Sequence, residues 1–414
     1  MDGLRTRGQP VAVAAIRAML GSGLAHAVLL AGPAGVGKTT LALDIAATLL
    51  CQTGDGSPRP CRVCRGCRMV DHGNHPDLHR LAPAGAGSLI SIGGRGERGI
   101  RDLVGDLALM PVEGGARVAI VESAQRMTED AQSAFLKTLE EPPAGTTIIL
   151  CADDEERLLP TIRSRCARVR LGPMGPRDVE TILQEQGVAD PPTAARLARV
   201  TGGRPGHAIA YARAPEATII RSEIAQSLLD LLRVGVTGRL AGVRDLAGRA
   251  AELVRALDAG SARAASASGA GSAPSGRGRG RGARAGRGTE GVTASVQASN
   301  GEVADGVPDG GAPELVETGA RVPAAERRRA ALVLVEIWRA TVRDLGLTVV
   351  GERGGVRDLA LIDDLEAAAR EVDLVTVGST LRRLETSADR LEGNVNPELV
   401  LDVLALAWSA GGPA

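Results

Sequence analysis

Residues 32–39 read Gly32-Pro33-Ala34-Gly35-Val36-Gly37-Lys38-Thr39, set between the apolar run Ala27 to Ala31 and a stretch from about Thr39 to Leu50 that puts Leu41, Ile45 and Leu49 on one helical face. No other feature narrows the fold as far. Glycines at this spacing let successive backbone N–H groups turn inward at a helix N-terminus, where the dipole favours an anion. The run fits the Walker A pattern in its required context, a strand before and a helix after. It predicts a phosphate cradle built by Gly32, Gly35 and Gly37, with Lys38 reaching the terminal phosphates and Thr39 holding Mg²⁺, so ATP with Mg²⁺ is the expected ligand. The alternative is a glycine turn whose site is blocked.

Strand, glycine turn and helix open an α/β unit. A second buried strand is expected at Val118 to Val121. Thr128 then caps a helix with Glu129 and Asp130 in its first turn, and that helix must stop before Pro142-Pro143. Strands at Thr146 to Leu150 and near Ala167 to Leu171 complete an alternation expected of a mostly parallel sheet. The nucleotide domain is thus placed at 1–171. Short helical segments (Arg177 to Gln186, Pro192 to Val200, Gly206 to Ala212) predict a small helical lid at 172–215, and an all-helical domain is expected at 216–260 and 321–412. The stretch 261–320 between them is rich in Gly, Ala, Ser and Arg. It holds too few large apolar residues to offset ordering entropy, and it is expected to be a disordered insertion. Arg277, Arg279, Arg281, Arg284 and Arg287 within it read as solvated, with weak nucleic-acid contact as the sharper alternative.

Lysine plus arginine and aspartate plus glutamate each number 49, and this balance argues against a chain that coats nucleic acid over its whole surface. Phe135, Tyr211, Trp338 and Trp408 are its only aromatics, so the cores must be filled by aliphatic side chains. The first 27 residues hold Arg5, Arg7 and an apolar run from Val11, but Arg17 interrupts that run, and secretion is not expected. With no stretch of about 18 apolar residues, a soluble, cytoplasmic protein without membrane association is expected.

Cys51, Cys61, Cys64 and Cys67 form a Cys-x9-Cys-x2-Cys-x2-Cys array just after the loop helix. In a reducing compartment such spacing points to metal, and four thiolates suit a structural Zn²⁺ with no open position for catalysis. Arg62, Arg65 and Arg68 are expected to offset the charge of the tetrathiolate. Cys151 and Cys166 are expected to be buried, and the histidines are not needed as ligands.

The loop, the cysteine array, Leu136-Lys137-Thr138-Leu139-Glu140-Glu141-Pro142-Pro143 and Thr161-Ile162-Arg163-Ser164-Arg165-Cys166 together resemble the clamp-loader subunits of bacterial DNA polymerase III, within the AAA+ family. The likeness is clear over roughly residues 1 to 210, and the C-terminal helices match that family's oligomerisation collar only in a general way. It implies an α/β P-loop AAA+ domain with a zinc module, a helical lid and a helical collar. It implies that Arg165 is a finger acting in trans on a neighbour's ATP. It implies gamma/tau and delta subunits as partners in a hetero-oligomer that loads the sliding clamp on primed DNA, as part of the DNA polymerase III holoenzyme. The departures favour the delta-prime type. Glu122-Ser123 stands where the motor subunit has Asp-Glu, so Glu122 is left as a candidate nucleotide-site carboxylate and Ser123 cannot act as a base. Cys151-Ala152-Asp153 lacks the expected sensor threonine, and Gly206 falls where the motor's sensing arginine lies, with Arg204 as a substitute. An active gamma/tau-type ATPase and a zinc-binding structural subunit without nucleotide are the rival readings.

Overall fold

The computed structural model describes residues 3–54, 57–84, 89–94, 98–113, 115–269, 323–393 and 395–409. After helix α1 (Pro10–Ser22), strand β1 (Ala27–Ala31) runs into the glycine loop and helix α2 (Lys38–Leu49). Helix α3 (Arg65–Asp71), strand β2 (Leu78–Leu81), helix α4 (Ile100–Ala108) and strand β3 (Arg117–Val121) follow. Helix α5 (Glu129–Glu140), strand β4 (Thr146–Ala152), the short helix α6 (Pro160–Arg163) and strand β5 (Ala167–Arg170) close the domain. All strands pair in parallel, in the order β2-β3-β4-β1-β5. The expectation of a parallel α/β fold holds.

Every residue of β1, β3 and β4 is buried, as a sheet covered on both faces requires. Alternation divides their side chains. Ala27 and Leu29 pack into one core with Leu103 of α4 and Phe135 of α5, while Val28 and Leu30 enter the other with Ile16 of α1 and Ile45 of α2. Helix α5 starts as its sequence dictates: the Thr128 hydroxyl accepts from the Ala131 amide at 3.2 Å.

Strand β2 and helix α4 lie outside the elements expected from the sequence. In β2 the sequence Leu78-His79-Arg80-Leu81 presents no apolar run, and the strand exists because its backbone pairs with β3 as the edge of the sheet. Helix α4 buries Ile100, Leu103 and Leu107, whose spacing of three and four residues is helical.

Three helices, α7 (Pro176–Glu185), α8 (Pro191–Val200) and α9 (Pro205–Arg213), form a small core around Val179, Leu183, Leu197 and Ala208. A larger helical core follows from α10 (Pro215–Asp230), α11 (Val236–Gly269), α12 (Ala324–Val349), α13 (Ile362–Ala369), α14 (Leu374–Glu392) and α15 (Pro397–Ala407). At its centre Trp338 and Trp408 meet edge to face, ring centroids 5.7 Å apart, and the Trp408 indole N–H donates to the Leu228 carbonyl at 2.7 Å. Helix α11 carries on through 261–269, inside the stretch expected to be a disordered insertion. The rest of that stretch, 270–320, with all five of its arginines from Arg277 to Arg287, lies outside the described residues. Among the described residues no helix is long and apolar enough to cross a membrane.

Candidate functional site: phosphate loop, cysteine cage and Arg165

The loop between β1 and α2 turns through Gly32, Gly35 and Gly37, all at positive φ. Gly35 has a second reason to be glycine: a Cβ there would lie 2.6 Å from the His207 ring, and its carbonyl accepts the Gly206 amide of α9 at 2.8 Å. The lid therefore rests directly on the loop. Between them opens a cleft of about 630 Å³ whose walls include Lys38, Thr39, Glu122 and Asp153.

Lys38 is buried, and its ammonium donates to the carbonyls of Gly32 (2.6 Å) and Pro33 (2.7 Å). It also pairs with Asp153 Oδ1 at 2.6 Å. Asp153 is held in turn by Gln125, whose side-chain amide donates to Oδ2 at 3.0 Å and whose carbonyl oxygen accepts the Asp153 amide at 3.1 Å. A carboxylate thus stands against the lysine, where a phosphate oxygen would otherwise compete for it. Relieving this contact is expected to strengthen nucleotide binding. Asp153→Ala should tighten binding of a fluorescent ATP analogue by about tenfold, a modest value because Asp153 is partly exposed and the pair is screened. Unchanged or weaker binding in a titration would show that Asp153 does not compete.

Glu122 directly follows β3, with its carboxylate turned to Arg80 of β2, at 3.0 Å from Nε and 2.6 Å from Nη2. Ser123, next in sequence, adopts left-handed backbone at φ 49°. No second carboxylate directly follows Glu122. Arg80, the partner of Glu122, carries no local sequence mark because β2 itself has none.

Arg204 does not reach the cleft as a substitute sensor. Its guanidinium is taken by Glu336 of α12 and by the Thr201 carbonyl at 2.9 Å, which turn it toward the helical domain. His207 also lies 3.8 Å from Glu336, and burial lowers the pKa of its imidazole, so it stays neutral near pH 7.

Cys51 follows α2, Cys61 and Cys64 precede α3, and Cys67 lies within it. All four sulfurs fall within 4.8 Å of one another, with Cys51 to Cys64 at 3.9 Å and Cys61 to Cys67 at 4.0 Å. A tetrahedron with metal–sulfur bonds of about 2.3 Å has edges of about 3.8 Å, so the cage fits a metal ion of that kind. Backbone amides of Cys64 and Cys67 donate to the sulfurs of Cys61 (3.3 Å) and Cys64 (3.4 Å), bonds that favour thiolates. Cys151 and Cys166 are buried, and burial pushes both thiols up to about 12.

The arginines of this module do not all serve the sulfurs. Arg62 pairs with the buried carboxylate of Asp44 on α2 and with Asp71 at 2.7 Å, and it donates to the Gly3 carbonyl at 2.7 Å. Arg65 lies 3.4 Å from Glu113. The charges offset here are carboxylates, which the sequence reading had not brought near the module.

Arg165 precedes β5. Because β1 and β5 are parallel, with Val28 opposite Ala167 and Ala31 opposite Arg170, the loop leaves the far end of β1 while Arg165 sits at the near end of β5. The two are separated by the length of the sheet. Its guanidinium, 34% exposed, donates to the Thr161 carbonyl at 2.9 Å and pairs with Glu140 at the end of α5.

The family model described as DNA polymerase III, delta subunit, matches residues 8–175. The delta-prime subunit of DNA polymerase III from Pseudomonas aeruginosa is 42% identical over 144 residues, 35% of this chain and 42% of the relative. That from Bacillus subtilis is 36% identical over 178 residues, 43% of this chain and 51% of the relative. The tau subunit from Salmonella typhimurium is 33% identical over 176 residues, 42% of this chain and 26% of the relative. The chain thus spans about half the length, or less, of the relatives it matches. The matched residues 8–175 carry the loop, the cysteine cage and Arg165, so over this part the chain is similar to the DNA polymerase III delta-subunit family.

Proposed function

We propose that this chain is a delta-prime-type subunit of a bacterial clamp loader, one that supports ATP-dependent loading of the sliding clamp on primed DNA without turning over much ATP itself. The observation that carries this reading is the end of β3: Glu122 is engaged by Arg80, and Ser123 stands where a water-positioning carboxylate is needed. Lys38, held by Asp153, supports the same reading. In this scheme Gly32, Gly35, Gly37, Lys38 and Thr39 keep the cradle for ATP with Mg²⁺, while Arg165 is presented to the ATP of an adjoining gamma/tau subunit. The far-end placement of Arg165 favours a role in trans, since its own phosphate loop is out of reach.

Cys51, Cys61, Cys64 and Cys67 hold a structural Zn²⁺ that clips the segment after α2 onto α3, with no position left for catalysis. Residues 172–215 serve as the lid, and the helices after residue 215 as the collar that joins gamma/tau and delta subunits. The working compartment is the cytoplasm.

The test is steady-state ATP hydrolysis by the purified full chain, followed by mixing with gamma/tau and delta subunits and sizing of the product. Turnover by the lone chain at background level, with incorporation into a loader complex and about one zinc per chain by elemental analysis, is the expected result. Brisk hydrolysis abolished by Lys38→Ala would instead make it a gamma/tau-type motor. Failure to join a complex would remove the loader assignment.

A further inference from the structure

A second charged cavity, of about 420 Å³, lies where the phosphate loop, the lid and the helical domain meet. Pro33 forms part of its wall on the loop side and Gly202 on the lid side, and four arginines line it: Arg204, Arg339, Arg343 and Arg357. Two of them are spoken for. Arg204 is bound by Glu336, and Arg343 pairs with the buried Asp344 at 2.7 Å. The other two are not: among the described residues neither the Arg339 nor the Arg357 guanidinium makes a hydrogen bond or an ion pair. Glu336 and Glu385 also line the cavity, so its wall sets four guanidiniums against two carboxylates.

Arg357 is held in this position by its backbone. Its amide donates to Asp344 Oδ2 at 3.0 Å, and Asp344 is otherwise engaged by the Asp358 amide at 3.1 Å and by Arg343. The lid makes room for the side chain at Gly202, where φ is +61° and a Cβ would stand 2.6 Å from Arg357 Nη1. Burial, with the guanidinium of Arg343 beside it, lowers the pKa of Arg357. Two unpaired guanidiniums facing one cavity among further cations are electrostatically unfavourable unless an anion joins them.

From this juxtaposition we infer that the cavity is a phosphate-binding site, distinct from the Walker A loop, in which Arg357 and Arg339 grip the oxygens of one phosphate group. The planar fork of arginine matches two oxygens of a tetrahedral oxyanion. A free phosphate brings about two negative charges at pH 7 and a backbone phosphodiester brings one, and both present the tetrahedral oxygens that the guanidinium fork matches. Because Pro33 belongs both to this wall and to the loop that holds Lys38, occupancy would be felt at the nucleotide cleft. A free inorganic anion and a nucleic-acid backbone both present such a phosphate group.

Calorimetric titration of the full chain at low salt distinguishes these sources. One arm uses pyrophosphate, and the other a single-stranded oligonucleotide without terminal phosphates. Both are run in a Lys38→Ala background so that the Walker A loop does not contribute. At least one probe is expected to bind, and its affinity should fall tenfold or more in Arg357→Ala and again in Arg339→Ala, with a partial loss in Arg357→Lys, which keeps the charge but not the fork. Arg339 is exposed, so its removal tests the site without risk to folding. The arm that responds identifies the source. Absence of binding in both arms, or binding indifferent to both arginines, overturns the site.

Discussion

Replacing Arg165 by alanine is expected to lower ATP turnover at the interface it serves by about 10³-fold or more in a reconstituted, DNA-stimulated complex, while the complex still assembles. The size follows from what a fixed guanidinium does beside a transferring phosphoryl group, where it stabilises charge that develops only in the transition state. The side chain is accessible to an incoming group. It is one-third exposed, and its resting contacts are a carbonyl and one surface carboxylate, Glu140, interactions that an incoming phosphate can outcompete. Those contacts carry little folding energy, so the variant should melt like the parent. Arg165→Lys should fail to restore turnover, because an ammonium lacks the two-pronged geometry. Whole-complex rates will fall less than single-interface rates if other sites continue to fire, so turnover must be read with the other sites disabled. Unchanged turnover at that interface would remove the finger role and leave Arg165 as a surface ion pair.

Asp44→Ala is expected to destabilise the sheet domain by about 3 kcal/mol, the lower end of the range for breaking a buried charge pair. Asp44 is 1% exposed and its carboxylate joins three parts of the chain. It accepts the amides of Arg5 (3.0 Å) and Thr6 (2.8 Å), the Thr6 hydroxyl at 2.6 Å, and the guanidinium of Arg62 from the cysteine module. Alanine would leave those donors unsatisfied and Arg62 with Asp71 as its remaining acid, which is why the lower figure applies. Hydrogen exchange of α2 amides should speed up by about two orders of magnitude, the equivalent of 3 kcal/mol at 1.4 kcal/mol per decade. The double variant Asp44→Ala with Arg62→Ala should cost less than the sum of the two single changes, because the orphaned cation is gone. Strict additivity would mean that the two residues do not act on each other.

The loop, the cysteine array and the buried strands were readable because each is written locally. A phosphate cradle needs glycines and a lysine at fixed offsets, four thiolates need close spacing, and a strand covered on both faces needs a continuous apolar run. The edge strand β2 carries no such mark, since His79 and Arg80 occupy its middle and only hydrogen bonding to β3 makes it a strand. With β2 went Arg80, and with Arg80 the partner of Glu122. Residues 261–269 look like the low-complexity stretch that follows them, yet they extend α11, a helix already anchored on the large helical core.

By itself the sequence determined the covalent logic of the protein: which backbone can wrap a phosphate, which sulfurs can share a metal, and that Glu122 is followed by Ser123 and not by a second carboxylate. Only the folded chain decided who pairs with whom. Asp153 meets Lys38 across 115 positions of sequence, Arg204 turns away to Glu336, and Arg165 stands at the opposite end of the sheet from its own loop. Charge pairing depends on distances of a few ångströms between segments remote in the chain, and no local pattern of residue types encodes such distances.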